Sequence, residues 1–120
     1  MHELSVCMAL LDQVQSIARE QGATQVERIL LRIGPLSGVD PLLLKSAYPL
    51  AAVGTIAATA ALDIETTSVR VQCNACGAET SATPNRLVCG RCGGFRARVI
   101  SGDEMLLASL ELKVPDSHGK

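Results

Sequence analysis

A chain of 120 residues, 48% hydrophobic and 19% charged, has enough apolar material for one domain or one small domain carrying a smaller insert, and too few charges for global disorder. Eleven basic against twelve acidic residues leave a net charge of −1, which disfavours a role coating nucleic acid or a polybasic membrane contact. With one Phe, one Tyr and no Trp the core must be aliphatic, and single-stranded nucleic acid finds no aromatic platform on which to stack.

Residues 4–20 predict an amphipathic helix. Leu4, Met8, Leu11, Val14 or Gln15, and Ala18 recur at three- and four-residue steps, with Cys7 and Ile17 flanking the stripe and Gly22 placed to cap the end. Over 25–34 the period changes to two: Ile29, Leu31 and Ile33 alternate with Arg28 and Arg32 as a half-buried strand, although Leu30 interrupts the pattern. After the Gly34-Pro35 punctuation, Asp40-Pro41 reads as an N-cap and first-turn proline opening a helix to about Val53, which Pro49 should kink or end early. Leu62, Ile64 and Thr66 predict a second strand, extending through Val69 and Val71 to the first cysteine. Leu106 to Lys113 predicts a third.

The order of elements points to an α+β fold: a small body of two helices against a mixed or antiparallel three-stranded sheet, with a zinc-ribbon-like lobe inserted between two strands. The expected division is a body of residues 1–70 plus 100–115, a cysteine lobe of 71–99, and a flexible tail of 116–120 in which His118 has no assigned role. The apolar run from Tyr48 to Leu62 is too short and too interrupted to span a bilayer, and the start of the chain lacks the pattern of a signal peptide. A cytoplasmic protein without membrane contact is expected, and in a reducing compartment five cysteines are not a disulfide framework.

Four of those cysteines form two Cys-x2-Cys pairs, Cys73/Cys76 and Cys89/Cys92, with twelve residues between them. Four thiolates at this spacing can close tetrahedrally on one Zn²⁺, and four sulfur ligands leave no open position, so the zinc is structural and not hydrolytic. Gly77, Gly93 and Gly94 follow the pairs and can turn backbone amides toward sulfur. Arg86, Arg91, Arg96 and Arg98 against the single acid Glu79 suit the charge of such a site. A dithiol redox motif is the competing reading, but it needs one pair and not two matched ones. Cys7 reads as a small buried core residue before a metal or redox group.

The chain begins Met1-His2-Glu3. By its residues alone His2 is either a solvated terminal residue or a metal ligand. The amine of Met1, the amide and imidazole of His2 and the amide of Glu3 lie within chelating reach, and such nitrogen donors suit Ni²⁺ or Cu²⁺ better than zinc; the Glu3 carboxylate can add an oxygen or orient the imidazole. Asp40 could reach that metal, but N-capping explains it more simply.

The initial Met1-His2-Glu3-Leu4-Ser5, the Gly-Pro-Leu-Ser-Gly loop at 34–38, Gly54-Thr55, the paired Cys-x2-Cys-Gly motifs and Gly102-Asp103-Glu104 before a Leu-rich strand resemble the HypA/HybF family of hydrogenase nickel-incorporation proteins, to about Val114. The apolar stretch 56–61 departs from relatives that carry an acid there. The resemblance implies a nickel metallochaperone: Ni²⁺ as cargo held by His2 with Met1 and Glu3, structural Zn²⁺ held by Cys73, Cys76, Cys89 and Cys92, and delivery to the [NiFe]-hydrogenase large-subunit precursor. It also implies a GTPase partner and, in some relatives, urease maturation. No nucleophile–base pair and no G-x4-G-K-[ST] phosphate loop is present, so no enzymatic activity is expected. The alternative is a zinc-ribbon module for protein or nucleic-acid contact with no nickel role. Whether the chain is a monomer or a homodimer is left open by its strands.

Overall fold

The computed structural model describes residues 2–115. In chain order the elements are α1 (His2–Glu20), β1 (Gln25–Ile33), α2 (Pro41–Ala52), β2 (Ala61–Thr66), β3 (Val69–Cys73), β4 (Glu79–Ala82), β5 (Ala97–Ser101) and β6 (Met105–Lys113). They form two three-stranded sheets, ordered β2-β1-β6 and β4-β3-β5, so the α+β architecture stands. The expected tail at 116–120, with His118, lies outside the described residues.

Helix α1 starts at His2, earlier than the periodicity indicates, and buries Cys7, Leu10, Leu11, Val14 and Ala18. Met8, expected on the stripe, is instead 57% exposed, because the inward face centres one position away on Cys7 and Leu11. The helix ends in a Schellman motif: Ala23 N–H donates to Ala18 O at 2.9 Å and Gly22 N–H to Arg19 O at 3.1 Å, with Gly22 at φ +70°. Asp40 caps α2 as expected, its Oδ1 accepting from Leu42 N–H at 2.9 Å and Leu43 N–H at 3.4 Å. α2 continues through Pro49 to Ala52. Pro49 is an exposed residue, and so is Lys45, whose carbonyl loses its helical partner and is left to water.

In β1, Ile29, Leu31 and Ile33 are buried, Arg28 and Arg32 exposed and Leu30 half-buried, so the alternation survives the extra leucine. Cross-strand contacts give the directions. Gln25 donates to Thr59, Arg28 pairs with Asp63 and Arg32 with Glu65, so numbers rise together and β2 runs parallel to β1. Thr24 N–H donates to Lys113 O and Gly34 N–H to Glu104 O, a falling series that makes β6 antiparallel. The parallel pair needs a crossover, which α2 supplies.

The second predicted strand is two strands. β2 stops at Thr66 and β3 begins at Val69 in the other sheet. The apolar residues switch from even numbers (62, 64) to odd (69, 71), a change of phase that one continuous strand cannot accommodate. In the second sheet β3 pairs antiparallel with β4 (Val71↔Thr80) and with β5 (Val71↔Val99). β4 and β5 were not foreseen: both are short and carry no long apolar alternation.

The chain divides into two compact units, one built from the described parts of Met1–Leu31, Asp40–Ile64 and Leu107–Lys120, the other from Arg32–Val39 and Glu65–Leu106. The first has both helices and an aliphatic core that includes Leu10, Val14, Val26, Ile29, Leu44 and Leu62. Tyr48 enters this core with its hydroxyl donating to Ala57 O at 2.7 Å, and Cys7 is fully buried, its thiol donating to Leu44 O at 3.4 Å. Cys7 is thus a core residue, its thiol raised above its ordinary pKa first by burial and then by Glu3.

Candidate metal centre

In the second unit Cys73, Cys76, Cys89 and Cys92 come together, their sulfurs all within 4.8 Å of one another. Two hydrogen-bonded turns with one pattern bring them there. In the first, Ala75 and Cys76 N–H donate to Cys73 Sγ, both at 3.4 Å, Gly77 N–H donates to Cys73 O at 2.9 Å, and Cys73 N–H donates to Ala78 O at 2.9 Å. In the second, Arg91 and Cys92 N–H donate to Cys89 Sγ, both at 3.4 Å, Gly93 N–H to Cys89 O at 2.8 Å, and Cys89 N–H to Gly94 O at 3.0 Å. Gly77 and Gly93 stand at φ +76° and +73°, the left-handed conformation that lets each turn close.

Across the centre, Cys73 Sγ lies 3.6 Å from Cys92 Sγ and Cys76 Sγ lies 3.6 Å from Cys89 Sγ. A tetrahedral ion with metal–sulfur bonds of about 2.3 Å spaces its ligands roughly 3.8 Å apart, so this donor set fits an ion such as zinc. The amides also favour thiolate. The Cys89 thiol is lowered to about 6, first by Cys92 N–H and then by Arg91 N–H, and Cys73 is lowered by Cys76 and Ala75 N–H. At Cys92 the Gly94 amide pulls down, but the sulfurs of Cys73 and Cys89 prevail and push it up to about 11.

Sequence patterns missed two supports. Thr80 Oγ1 accepts from Gly90 N–H at 2.8 Å, bracing the second turn from β4, and Asn74 N–H donates to Arg96 O at 2.6 Å. Neither contact has a local signature, because each joins residues brought together only by the sheet.

The N-terminal candidates lie in the first unit. Met1 is outside the described residues; His2 is exposed as the first residue of α1; Glu3 is half-buried. Glu3 Oε2 accepts from Asp40 N–H at 3.3 Å, which ties the first turn of α1 to the cap of α2. His2, Glu3 and Asp40 are thereby neighbours, while Asp40 Oδ1 is engaged in capping. Among the described residues no helix is long and apolar enough to cross a membrane.

The fold and the centre define a class: a small α+β protein whose paired cysteine turns gather four sulfurs that could hold one metal ion. Over residues 1–112 the chain matches the family described as "Hydrogenase/urease nickel incorporation, metallochaperone, hypA". It belongs to that family. A hydrogenase maturation factor HypA of Nitrosospira multiformis is 47% identical, over 93% of this chain and 97% of that one. One of Aquifex aeolicus is 39% identical, over 95% and 99%. The solution structure of the Ni metallochaperone HypA from Helicobacter pylori aligns at a TM-score of 0.71 and 28% identity, covering 93% of this chain and 97% of that one.

Proposed function

We propose that this chain is a cytoplasmic nickel metallochaperone that takes up Ni²⁺ at its N-terminus and delivers it to the [NiFe]-hydrogenase large-subunit precursor. A GTPase supplies the energy for transfer, and urease maturation is a further client of the same kind. The amine of Met1, the imidazole of His2 and the Glu3 group ligate the cargo. The observation that carries this reading is Asp40 N–H holding Glu3 Oε2, which keeps one oxygen of the chelating tripeptide at a fixed place beside exposed His2. In the other unit Cys73, Cys76, Cys89 and Cys92 would hold zinc, whose role is to cross-link the two turns.

An exposed terminal chelate suits a carrier, since cargo must leave as well as enter. The amine, imidazole and amides must lose protons to bind, so nickel affinity should fall on acidification.

Untagged protein and its His2→Ala variant, each titrated with nickel and assayed for zinc, test the proposal. Zinc retained in both with nickel binding lost in the variant is the expected result. A variant that binds one nickel as tightly as the parent would overturn it and favour a zinc-ribbon interaction module.

A further inference from the structure

The region from Val69 to Ser101, which holds the β4-β3-β5 sheet and both cysteine turns, is cationic beyond what its metal centre absorbs. It carries five of the chain's eleven basic residues, all arginine, and one of its twelve acids, Glu79. Even against four thiolates and one Zn²⁺ the arginines are in excess. Among the described residues every hydrogen bond to a cysteine sulfur comes from a backbone amide or another sulfur, none from a guanidinium.

Two of the five are engaged within the sheet: Arg70 donates to Ser81 Oγ and Glu79 O, both at 3.2 Å, and Arg98 to Gln72 Oε1. Arg86, Arg91 and Arg96 are exposed, and among the described residues their guanidinium groups have no hydrogen bond or ion pair. The ion pairs lie elsewhere, joining Arg28 to Asp63 and Glu111 and Arg32 to Glu65. Yet the backbone at all three is fixed. Arg86 N–H donates to Thr83 O at 3.0 Å, Arg91 N–H to Cys89 Sγ at 3.4 Å, and Arg96 O accepts from Asn74 N–H at 2.6 Å. Beside Arg96 stands Phe95, the chain's only phenylalanine, 85% exposed.

A pocket of about 340 Å³ in this region is lined by Ser81, Ala82, Thr83, Arg86, Val88 and Gly90. Arg86 is its only charge. The hydroxyls of Ser81 and Thr83 share the lining, and Ala82 and Val88 supply an aliphatic wall. An unpaired arginine beside hydroxyls and an apolar wall fits a glutamate side chain, its carboxylate on the guanidinium fork and its methylenes on the wall. Gly90 passes directly to Arg91, so a chain seated in the pocket has further free arginines ahead of it. A phosphodiester strand fits less well, since Phe95 is the only aromatic residue here on which a base could stack.

We propose that this region docks an acidic segment of another protein, with a glutamate side chain in the Arg86 pocket, neighbouring carboxylates on Arg91 and Arg96, and an apolar side chain on Phe95. Arginine and aromatic residues are the types that anchor protein interfaces, and turns already fixed lose little freedom on binding. The ion pairs are exposed, so they steer and select the partner more than they tighten it, and binding weakens with salt. The proposal concerns the second unit and is independent of the nickel reading.

Fluorescence anisotropy tests it, with a labelled peptide of about four Glu-Glu-Leu repeats, roughly 40 Å when extended, titrated with the zinc-loaded, nickel-free full chain. The expected result is saturable binding that weakens as salt rises from about 0.05 to 0.5 M, and that is at least about tenfold weaker for the Gln-Gln-Leu peptide. Arg86→Gln should raise the dissociation constant roughly three- to fivefold, the upper range for one exposed ion pair, and Arg91→Gln with Arg96→Gln roughly tenfold. Arg19→Gln, which removes the same charge from α1, should leave it unchanged. Should Arg86→Gln lose its zinc, Arg91→Gln alone decides, since that guanidinium bonds to nothing among the described residues. Equal binding of the two peptides, the same loss in Arg19→Gln as in the other variants, or tighter binding of an oligothymidylate of similar length would overturn the proposal.

Discussion

Gly34 sits against Gly102 so closely that a Cβ on Gly34 would stand 2.2 Å from the Gly102 carbonyl oxygen. The two glycines are locked by Leu36 N–H donating to Gly102 O at 2.7 Å and Gly34 N–H donating to Glu104 O at 2.8 Å. The same imagined Cβ would lie 2.7 Å from Glu104 Oε1. Gly34 is thus required by space and not by its dihedral angle, since its φ is not positive.

Gly34→Ala should therefore cost about 2–3 kcal/mol, the upper part of the roughly 1–3 kcal/mol range for forcing atoms into a packed site. Gly22→Ala offers the contrast: open space, but a φ of +70°, for about 1 kcal/mol. Urea unfolding of the two variants should rank them in that order. Equal or reversed costs would contradict the steric account.

Glu104 closes the same junction from its side chain, with Oε1 accepting from Gly102 N–H and Thr67 Oγ1, each at 3.0 Å. Its carboxyl is held below the ordinary range, first by its own backbone N–H and then by Thr67. A lowered folded pKa means stability that is full above the unfolded value, near 4.3, and lost as pH falls through the lower folded one. Glu104→Gln should lower the melting temperature at neutral pH, and the gap should narrow at a pH below that unfolded value. Thermal scans at the two pH values read this directly.

Tyr48 is the other single-atom anchor. Its hydroxyl reaches Ala57 O at 2.7 Å inside the core, and Ala57 is fully buried. Tyr48→Phe keeps the ring and strands the carbonyl, so a loss of about 1–2 kcal/mol is expected, together with faster amide exchange in 53–60. Unchanged stability would mean that water replaces the hydroxyl.

The cysteine centre makes a prediction about protons. With its thiol lowered to about 6, Cys89 enters metal binding at neutral pH already as thiolate, whereas Cys92, at about 11, does not. Zinc uptake at pH 7 should release fewer than four protons. Below about pH 6 the affinity should fall more steeply, because Cys89 must then also be deprotonated. In the metal-free chain the depressed value contributes stability that is lost as pH falls through about 6. Calorimetry in buffers of different ionisation enthalpy counts the protons, and four released at pH 7 would refute the thiolate assignment.

Much of this protein is determined by sequence alone, because the relevant forces are local. Heptad-like spacing places Leu11, Val14 and Ala18 on one helix face, Asp40-Pro41 opens α2, and the paired Cys-x2-Cys-Gly motifs define turns that aim their own amides at sulfur. Even the break between β2 and β3 is written in the change of phase at 67–68. Tertiary structure decided what depends on residues far apart in the chain. Thr80 braces Gly90, Gly34 meets Gly102, and Asp40 N–H reaches Glu3, across 10, 68 and 37 positions respectively. It also decided that α2, whose sequence is apolar on every side, buries Leu44 and Tyr48 and leaves Leu43 and Leu50 outside. Spacing at three and four residues groups Leu44 with Tyr48, but hydrophobicity is non-directional, and it is packing, with α1 as the partner of α2, that buries their face.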